Sequence, residues 1–101
     1  MKHFLPFLTL LILVACQPID PIEQKIDHLI SQMTLDEKIA QMTQLAGGQI
    51  TEDFENKVRA GLGSMLNSMG EEANHYQRIA VEESRLGIPM VFARDVIHGY
   101  R

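Results

Sequence analysis

The sequence has few of the residues from which covalent or metal-based frameworks are built. Its 101 residues include one cysteine, no tryptophan and only 6% aromatic side chains. A single cysteine excludes an internal disulfide and every metal site made of several cysteines. Nine basic residues are outnumbered by thirteen acidic ones, and the formal net charge is −4. We therefore expect no nucleic-acid partner, because such binding needs a basic surface, and at most one small domain.

A long apolar run stands near the start of the chain. Lys2 and His3 form a short basic segment, and residues 4–15 are almost wholly apolar. The run is shorter than the roughly 20 residues that a helix needs to cross a bilayer, and its length is typical of a signal-peptide core. A buried helix or strand beside an incidental cysteine is the alternative. The order of basic start, apolar run and cleavage pattern favours a signal peptide at residues 1–15.

The cysteine at the end of this run has a predicted role as a lipid attachment site. Residues 13–16 read Leu-Val-Ala-Cys, the pattern of the bacterial lipobox, in which the cysteine is acylated and a peptidase cleaves before it. Stable anchoring takes more than one acyl chain, and Gln17 rather than Asp favours the outer membrane in well-studied Gram-negative bacteria. The pattern predicts an exported, periplasmic protein that contacts the membrane through lipid on Cys16, with residues 16–21 as a tether.

The segment after the tether is predicted to be helical. Asp20 as N-cap, Pro21 at the first helical position and Glu23 in the first turn are typical of a helix start. Apolar residues then recur at helical spacing, and these are Ile22, Ile26, Leu29, Ile30 and Met33. This spacing predicts one amphipathic helix.

Two capping signals predict two further helices. Thr34 and Glu37 form a Thr-x-x-Glu capping box. The helix that they begin is expected to run through Leu45 and to end at the glycine pair 47–48. Its apolar stripe consists of Leu35, Ile39, Met42 and Leu45. Thr51 is expected to cap a third, shorter helix.

The second half of the chain has a different pattern, typical of alternating strands and helices. Residues 63–67 are a short apolar run before turn-prone residues, and they predict a buried strand. A long helix is expected from about Glu71 to Leu86, with Gly87 just after its end. Residues 90–93 are a second compact apolar run. Two short strands joined by a helix predict a parallel βαβ unit, and hence the α/β class.

Two charged residues directly follow the second strand. Ligands of open α/β sheets and α/β barrels bind at the carboxyl ends of strands, which is where Arg94 and Asp95 are expected. A carboxylate there can accept hydrogen bonds from hydroxyl groups, or act as an acid, a base or a nucleophile. Position alone supports two other interpretations equally well. Asp95 could form a surface pair with Arg94, or its carboxylate could cap a turn. His98 is better explained as a structural histidine than as a metal ligand, because no third ligand is near in sequence.

The remaining polar residues predict no metal or cofactor site. The acidic pairs 71–72 and 82–83 fall on the long helix, where neighbours face in different directions, so neither pair forms a carboxylate dyad. One residue of the second pair is expected to contact an arginine, which would be Arg78, Arg85 or Arg94. His28 and His75 are expected to be solvated or packed rather than catalytic.

Four blocks of sequence carry a family resemblance. They are MTLDEKIAQM at 33–42, GSMLN at 63–67, QRIAVEESRLGIP at 77–89 and FARDVIHGYR at 92–101. In this order and spacing they resemble the amino-terminal part of glycoside hydrolase family 3, and they are most similar to its bacterial periplasmic β-glucosidases. The resemblance extends from about Ile26 to Arg101.

The resemblance implies an amino-terminal TIM-like (β/α)8 barrel followed by an α/β sandwich domain, with residues 22–101 as an incomplete start of the barrel. It implies retaining hydrolysis of a β-glucoside or oligosaccharide from the non-reducing end, without a cofactor. Such hydrolysis needs a carboxylate nucleophile and a carboxylic acid/base. In this family both lie beyond the matched region, so no catalytic residue is expected in this chain. Asp95 matches the family's aspartate that hydrogen-bonds the terminal sugar, and it is the predicted substrate-binding residue.

The chain length leaves competing interpretations open. A TIM barrel takes about 250 residues, so 101 residues are expected to be a truncated and catalytically inactive part of one. The first alternative is a small lipoprotein that binds a sugar or a partner without catalysis. The second is another activity in the same family, that of a β-xylosidase or an exo-β-glucanase.

Overall fold

The computed structural model describes residues 20–99, which fall into two compact units that separate after Gln32. The predicted signal peptide and its lipid attachment site Cys16 lie outside the described residues. None of the helices in the described range is long and apolar enough to cross a membrane.

The described chain alternates helices with short strands. The first unit holds α1 (Pro21–Gln32), and the second holds α2 (Leu35–Gln41), β1 (Gln44–Ala46), α3 (Glu52–Arg59), β2 (Ser64–Leu66), α4 (Glu71–Glu82) and β3 (Val91–Ala93). Helix α1 begins where predicted. Asp20 Oδ1 accepts a hydrogen bond from the Ile22 amide at 2.8 Å, and the Asp20 carbonyl accepts one from the Gln24 amide at 3.0 Å. Asp20 therefore pairs an amide that the first helical turn leaves without an intrahelical partner.

The second unit is organised around a three-stranded parallel sheet in the order β1-β2-β3. The register places Leu45 beside Met65, and Met65 beside Phe92. Each strand lies next to its successor in sequence, and α3 and α4 make the two crossovers. Right-handed crossovers that step in one direction put both helices on the same face of the sheet, and α3 packs against α4. The predicted parallel βαβ unit is confirmed, and the unit is of the α/β class.

The hydrophobic core lies between the sheet and these two helices. Its buried residues are Val58, Leu62, Met65, Tyr76, Ile79, Ala80 and Met90, with Leu45, Phe54 and Phe92 packed against them. The middle residue of each strand thus faces the helices. Because side chains alternate along a strand, Leu66 and Ala93 point to the opposite face of the sheet.

The second helix is shorter than predicted. Helix α2 ends at Gln41, and the Gln44–Ala46 segment forms β1 instead. The predicted stripe on α2 does not face a core within the described chain, since Leu35, Ile39 and Met42 are each more than half exposed. Leu45 becomes the middle residue of β1 because there it pairs with β2 and packs on the core. This tertiary pairing outweighs the local helical pattern.

Helix α4 also ends earlier than predicted, at Glu82 rather than near Leu86. The Ser84 amide donates to the Ile79 carbonyl at 3.2 Å. This hydrogen bond spans five residues instead of the four of an α-helix, and the chain turns there. Gly87 has φ 61, a left-handed conformation that suits glycine. The predicted glycine stop is therefore in place, but a short turn separates it from the helix.

Two arginines tie distant elements together, with partners other than those predicted. Arg85 Nε donates to Glu37 Oε1 at 2.8 Å, across 48 residues of sequence. Arg59 Nε donates to Glu83 Oε2 at 2.7 Å, and Arg59 Nη2 lies 3.0 Å from Glu55 Oε2. The predicted partners of Glu83 are thus wrong, because α3 and α4 pack side by side and bring an arginine of α3 to it instead of Arg78, Arg85 or Arg94.

The pair of Glu37 with Arg85 predicts acid sensitivity. Hydrogen bonds from Arg85 and from the Thr34 amide lower the pKa of Glu37 from 4.5 to about 2. A lowered carboxyl pKa adds stability above pH 4.5, and this contribution is lost as the pH falls through 4.5 toward 2. We expect Glu37→Gln, which keeps a side chain suited to the capping box, to lower the Tm near neutral pH, and the difference from wild type to vanish near pH 2.

Thermal unfolding of both proteins between neutral and strongly acidic pH measures this difference. The matched control is Glu82→Gln, because Glu82 is exposed and its carboxylate forms no hydrogen bond or ion pair within residues 20–99. It is expected to leave the Tm unchanged across the same range. A constant Tm difference between Glu37→Gln and wild type at every pH would show that the charge of Glu37 contributes nothing.

Candidate functional site

The carboxyl ends of the three strands lie together at one edge of the sheet, because the strands are parallel and adjacent. Three connections leave this carboxyl edge: the β1–α3 loop (47–51), the β2–α4 loop (67–70) and the segment after β3 (94–99). In α/β proteins the ligand site is formed by connections of this kind. Asp95 lies on the third of them.

Asn67 clamps the segment that carries Asp95. The Asn67 amide donates to the Ala93 carbonyl at 2.8 Å, and Asn67 Oδ1 accepts from the Asp95 amide at 3.0 Å. Asn67 has φ 62, in the left-handed region that asparagine tolerates better than most residues. Its main chain therefore turns away from β2 while its side chain holds the backbone just beyond β3. The sequence marks Asn67 only as a turn residue, and its clamping role becomes visible once β2 is paired with β3.

The Asp95 side chain is exposed, and its carboxylate has no partner within the described part of the chain. Only its main chain is engaged, through the hydrogen bond to Asn67. A surface pair of Asp95 with Arg94 is therefore not observed, and Arg94 Nη1 donates instead to Met69 Sδ. An anchored backbone with an unengaged carboxylate is suited to accept hydrogen bonds from the hydroxyl groups of a ligand.

An open groove of about 280 Å³ adjoins this segment. The β2–α4 loop forms one wall, and the other is formed by the end of β3, with Met69, Phe92 and Arg94 among the lining residues. Asp95 follows directly on this lining without being part of it. Since pockets for drug-sized ligands enclose about 300–1,000 Å³, the groove by itself has room for a small group rather than for an oligosaccharide.

The β1–α3 loop begins with a close crossing over the β2–α4 loop. The Gly47 amide donates to the Leu66 carbonyl at 2.7 Å, which extends the ladder beyond β1. A Cβ at position 47 would lie 2.7 Å from Ser68 Cβ, so the crossing leaves no space for a side chain. Ser68 is 2% exposed, and its hydroxyl has no hydrogen-bond partner among residues 20–99. The glycine predicted to stop a helix thus serves the contact between two loops.

Two side chains of α4, one helical turn apart, hold the rest of this loop. The Gly48 amide donates to Glu72 Oε1 at 2.9 Å. The Tyr76 hydroxyl donates to the Gln49 carbonyl at 2.9 Å and accepts from the Thr51 amide at 3.3 Å. Tyr76 is fully buried, and this burial raises the pKa of its hydroxyl, which therefore remains a donor. Sequence reasoning missed both residues, because the loop that they bind is far from them in sequence.

The predicted histidines do not gather into a second site. His98 is exposed. His75 Nε2 lies 2.9 Å from Glu55 Oε1, and His28 Nε2 lies 3.0 Å from Gln32 Nε2. In the described range, no three His, Cys, Asp or Glu side chains come close enough to hold a metal ion.

Comparison with known proteins relates the chain to glycosidases at a coarse level. The chain is similar to a periplasmic β-glucosidase. That protein comes from Salmonella typhimurium strain LT2, and the two sequences are 32% identical over 80 residues, which is 75% of this chain and 10% of the relative. The chain thus spans about a tenth of the relative's length. No protein-family profile matches it, and membership of glycoside hydrolase family 3 stays a prediction.

Proposed function

We propose that the protein to which these residues belong hydrolyses terminal, non-reducing β-D-glucosyl residues by a retaining mechanism. The observation that carries this proposal is the similarity to a periplasmic β-glucosidase. The glycoside hydrolase family 3 blocks at 33–42, 63–67, 77–89 and 92–101 add to it. The substrate is a β-glucoside or an oligosaccharide, and the proposed reaction uses no cofactor.

In this proposal residues 22–101 form the first part of a TIM-like barrel. In such a barrel every strand lies beside its successor in sequence, which is the order of β1, β2 and β3. Doubly wound sheets reverse their order at a switch point instead. Among the described residues β1 and β3 are edge strands, and closure of a barrel would pair both of them with further strands.

Asp95 is the proposed ligand for hydroxyl groups of the terminal sugar. Its carboxylate is exposed at the carboxyl edge, and Asn67 fixes its backbone. A carboxylate accepts charge-assisted hydrogen bonds, which are roughly twice as strong as neutral ones. Asp95 then orients the sugar, while the nucleophile and the acid/base come from other parts of the protein, about 5–5.5 Å apart as in retaining enzymes.

Hydrolysis of nitrophenyl β-D-glucoside by the intact protein tests the proposed activity. We expect faster release of nitrophenol from the β-glucoside than from the β-xyloside, and none from the α-glucoside. Proton NMR should show β-glucose as the first product, because a retaining mechanism preserves the anomer. Preference for the β-xyloside would favour a β-xylosidase. Glucose binding without hydrolysis of any of these would favour the non-catalytic sugar-binding lipoprotein.

A lipid on Cys16, anchored in the outer membrane, is the proposed attachment of the protein. The lipobox at 13–16 supports it, and the periplasmic location in the relative's name agrees with export. We expect Cys16→Ser to abolish incorporation of labelled palmitate and recovery in the outer-membrane fraction, because the acylated thiol is lost. The control Gln17→Asp should keep the label and move the protein to the inner-membrane fraction. Undiminished labelling of Cys16→Ser would refute the lipid attachment.

A further inference from the structure

Three long-range hydrogen bonds from two side chains of α4 hold the β1–α3 loop at the carboxyl edge. Glu72 binds the Gly48 amide, and the Tyr76 hydroxyl binds both the Gln49 carbonyl and the Thr51 amide. Each of these contacts crosses at least 24 residues of sequence. We call Glu72 and Tyr76 the loop latch, because together they fix three of the five loop residues from one face of α4.

The latched loop and Asp95 stand on opposite sides of β2. The strand order places β1 and β3 on either side of it, and neighbouring strands are about 4.8 Å apart. The ends of β1 and β3 are therefore separated by about 10 Å, measured across the sheet. A ligand bound by Asp95 over the end of β2 would face the β1–α3 loop from there.

Gln49 is the loop residue with polar groups left for such a ligand. Its carbonyl is bound by Tyr76, but its exposed side-chain amide forms no hydrogen bond with any residue in 20–99. A primary amide offers two donors and an acceptor, which suits sugar hydroxyls because each of them both donates and accepts. Gln49 therefore resembles Asp95. In both residues the backbone is held by a hydrogen bond, and the side chain has no hydrogen-bond partner among residues 20–99.

We propose that Gln49 is a second sugar-binding residue, and that Glu72 and Tyr76 are positioning residues that hold it opposite Asp95. This inference rests on the proposed β-glucosidase function. The sugar would be bound between a carboxylate on the segment after β3 and an amide on the β1–α3 loop. The latch acts only through the loop, so its contribution depends on Gln49 being present.

A double-mutant cycle on the intact protein tests this dependence, with nitrophenyl β-D-glucoside as the probe. Tyr76→Phe keeps the buried ring and removes only the hydroxyl that binds the loop, and Gln49→Ala removes the proposed contact. We expect each change to raise KM roughly fivefold with kcat altered by less than about twofold. The double variant should also show only about a fivefold rise, because coupled residues are not additive.

Thr34→Ala is the control for a change in KM that is caused by lost stability alone. It removes the N-cap of α2, and the Thr34 side chain forms its only hydrogen bond within residues 20–99 with the Glu37 amide. Its KM is expected to equal that of wild type. Glu72→Gln weakens the other contact of the loop latch and is expected to raise KM, as Tyr76→Phe does. It provides the test if Tyr76→Phe does not fold. Amide hydrogen exchange at Gly48 should quicken in Glu72→Gln, and at Thr51 in Tyr76→Phe.

Three results would overturn the inference. KM effects that multiply to about 25-fold in the double variant would show that Tyr76 and Gln49 act independently. An unchanged KM in Gln49→Ala would remove Gln49 from the site, and a KM for Tyr76→Phe equal to that of Thr34→Ala would leave the latch a purely structural role. Wild-type protein that does not hydrolyse the glucoside would instead refute the proposed function, and this inference with it.

Discussion

Asp95→Asn is expected to lower kcat/KM for nitrophenyl β-D-glucoside at least about tenfold in the intact protein. The amide keeps the size of the side chain but loses the charge that strengthens hydrogen bonds from sugar hydroxyls. Hydrogen bonds to charged groups contribute roughly 1.5–3 kcal/mol, and 1.4 kcal/mol corresponds to a factor of ten. Asn67 contacts Asp95 only at its backbone amide, so the substitution leaves the segment in place.

The matched control for this prediction is Asp53→Asn. Asp53 is an exposed carboxylate of α3 whose ion pair with Lys57 is local to that helix. The chemical change is the same, and kcat/KM should remain at the wild-type value. Equal kcat/KM in Asp95→Asn and wild type would remove Asp95 from the sugar site. A similar loss in both variants would trace the effect to the lost negative charge in general rather than to a contact with substrate.

The largest expected effect on stability is that of Gly63→Ala. A Cβ at position 63 would lie 2.0 Å from the Gln41 carbonyl oxygen and 2.6 Å from its carbonyl carbon. Both are backbone atoms, so no change of rotamer can relieve the overlap. Both backbone polar groups of Gly63 are hydrogen-bonded. Its amide donates to the Ala40 carbonyl, and its carbonyl accepts from the Val91 amide, each at 2.9 Å. Any shift that makes room for the methyl group must therefore disturb the junction of α2, β2 and β3.

We expect Gly63→Ala to lower the free energy of unfolding by at least about 3 kcal/mol, at the upper end for overpacked sites. Urea denaturation of the intact protein measures it. The matched control is Gly70→Ala, because Gly70 has a positive φ of 59 but a Cβ there would meet no atom within 4 Å. With ψ −127, Gly70 lies outside the left-handed helical region, and the substitution should cost less than Gly63→Ala, about 1–3 kcal/mol of backbone strain. Equal losses in the two variants would contradict the close approach of Gly63 to Gln41.

Helix starts could be predicted from the sequence because their signals are local. The capping box forms as expected, with Thr34 Oγ1 accepting from the Glu37 amide at 3.2 Å and the Thr34 amide donating to Glu37 Oε2 at 2.8 Å. Thr51 Oγ1 likewise accepts from the Phe54 amide at 3.3 Å. Donor and acceptor are three residues apart in each case, so the spacing alone predicts the contact.

Strand β1 could not be predicted because nothing local distinguishes it. Three residues are too few to show an alternating pattern, and Leu45 also fits the helical spacing of the preceding segment. What makes Gln44–Ala46 a strand is its pairing with β2, about 20 residues away. Gly63 lies against the backbone of Gln41 beside this pairing. The sequence places Gly63 at the start of the predicted strand at 63–67 but does not reveal this close contact.

The candidate site could likewise be predicted only where its signals are local in sequence. Asp95 could be placed at the carboxyl edge because it follows an apolar strand directly, and the structure places it there. Its clamp Asn67 and the latch residues Glu72 and Tyr76 act across 24 to 28 residues of sequence, so only the folded chain reveals their contacts. The role of Asp95 in binding sugar, and that of Cys16 in lipid attachment, remain predictions of the resemblance and of the lipobox pattern.

The most direct measurement is a crystal structure of the intact protein with glucose bound. We predict that the glucose lies at the carboxyl edge, with at least one hydroxyl within about 3 Å of the Asp95 carboxylate and the opposite side of the ring facing the β1–α3 loop. Glucose bound at another place, with the Asp95 carboxylate still unengaged, would contradict the assignment of this edge as the sugar site.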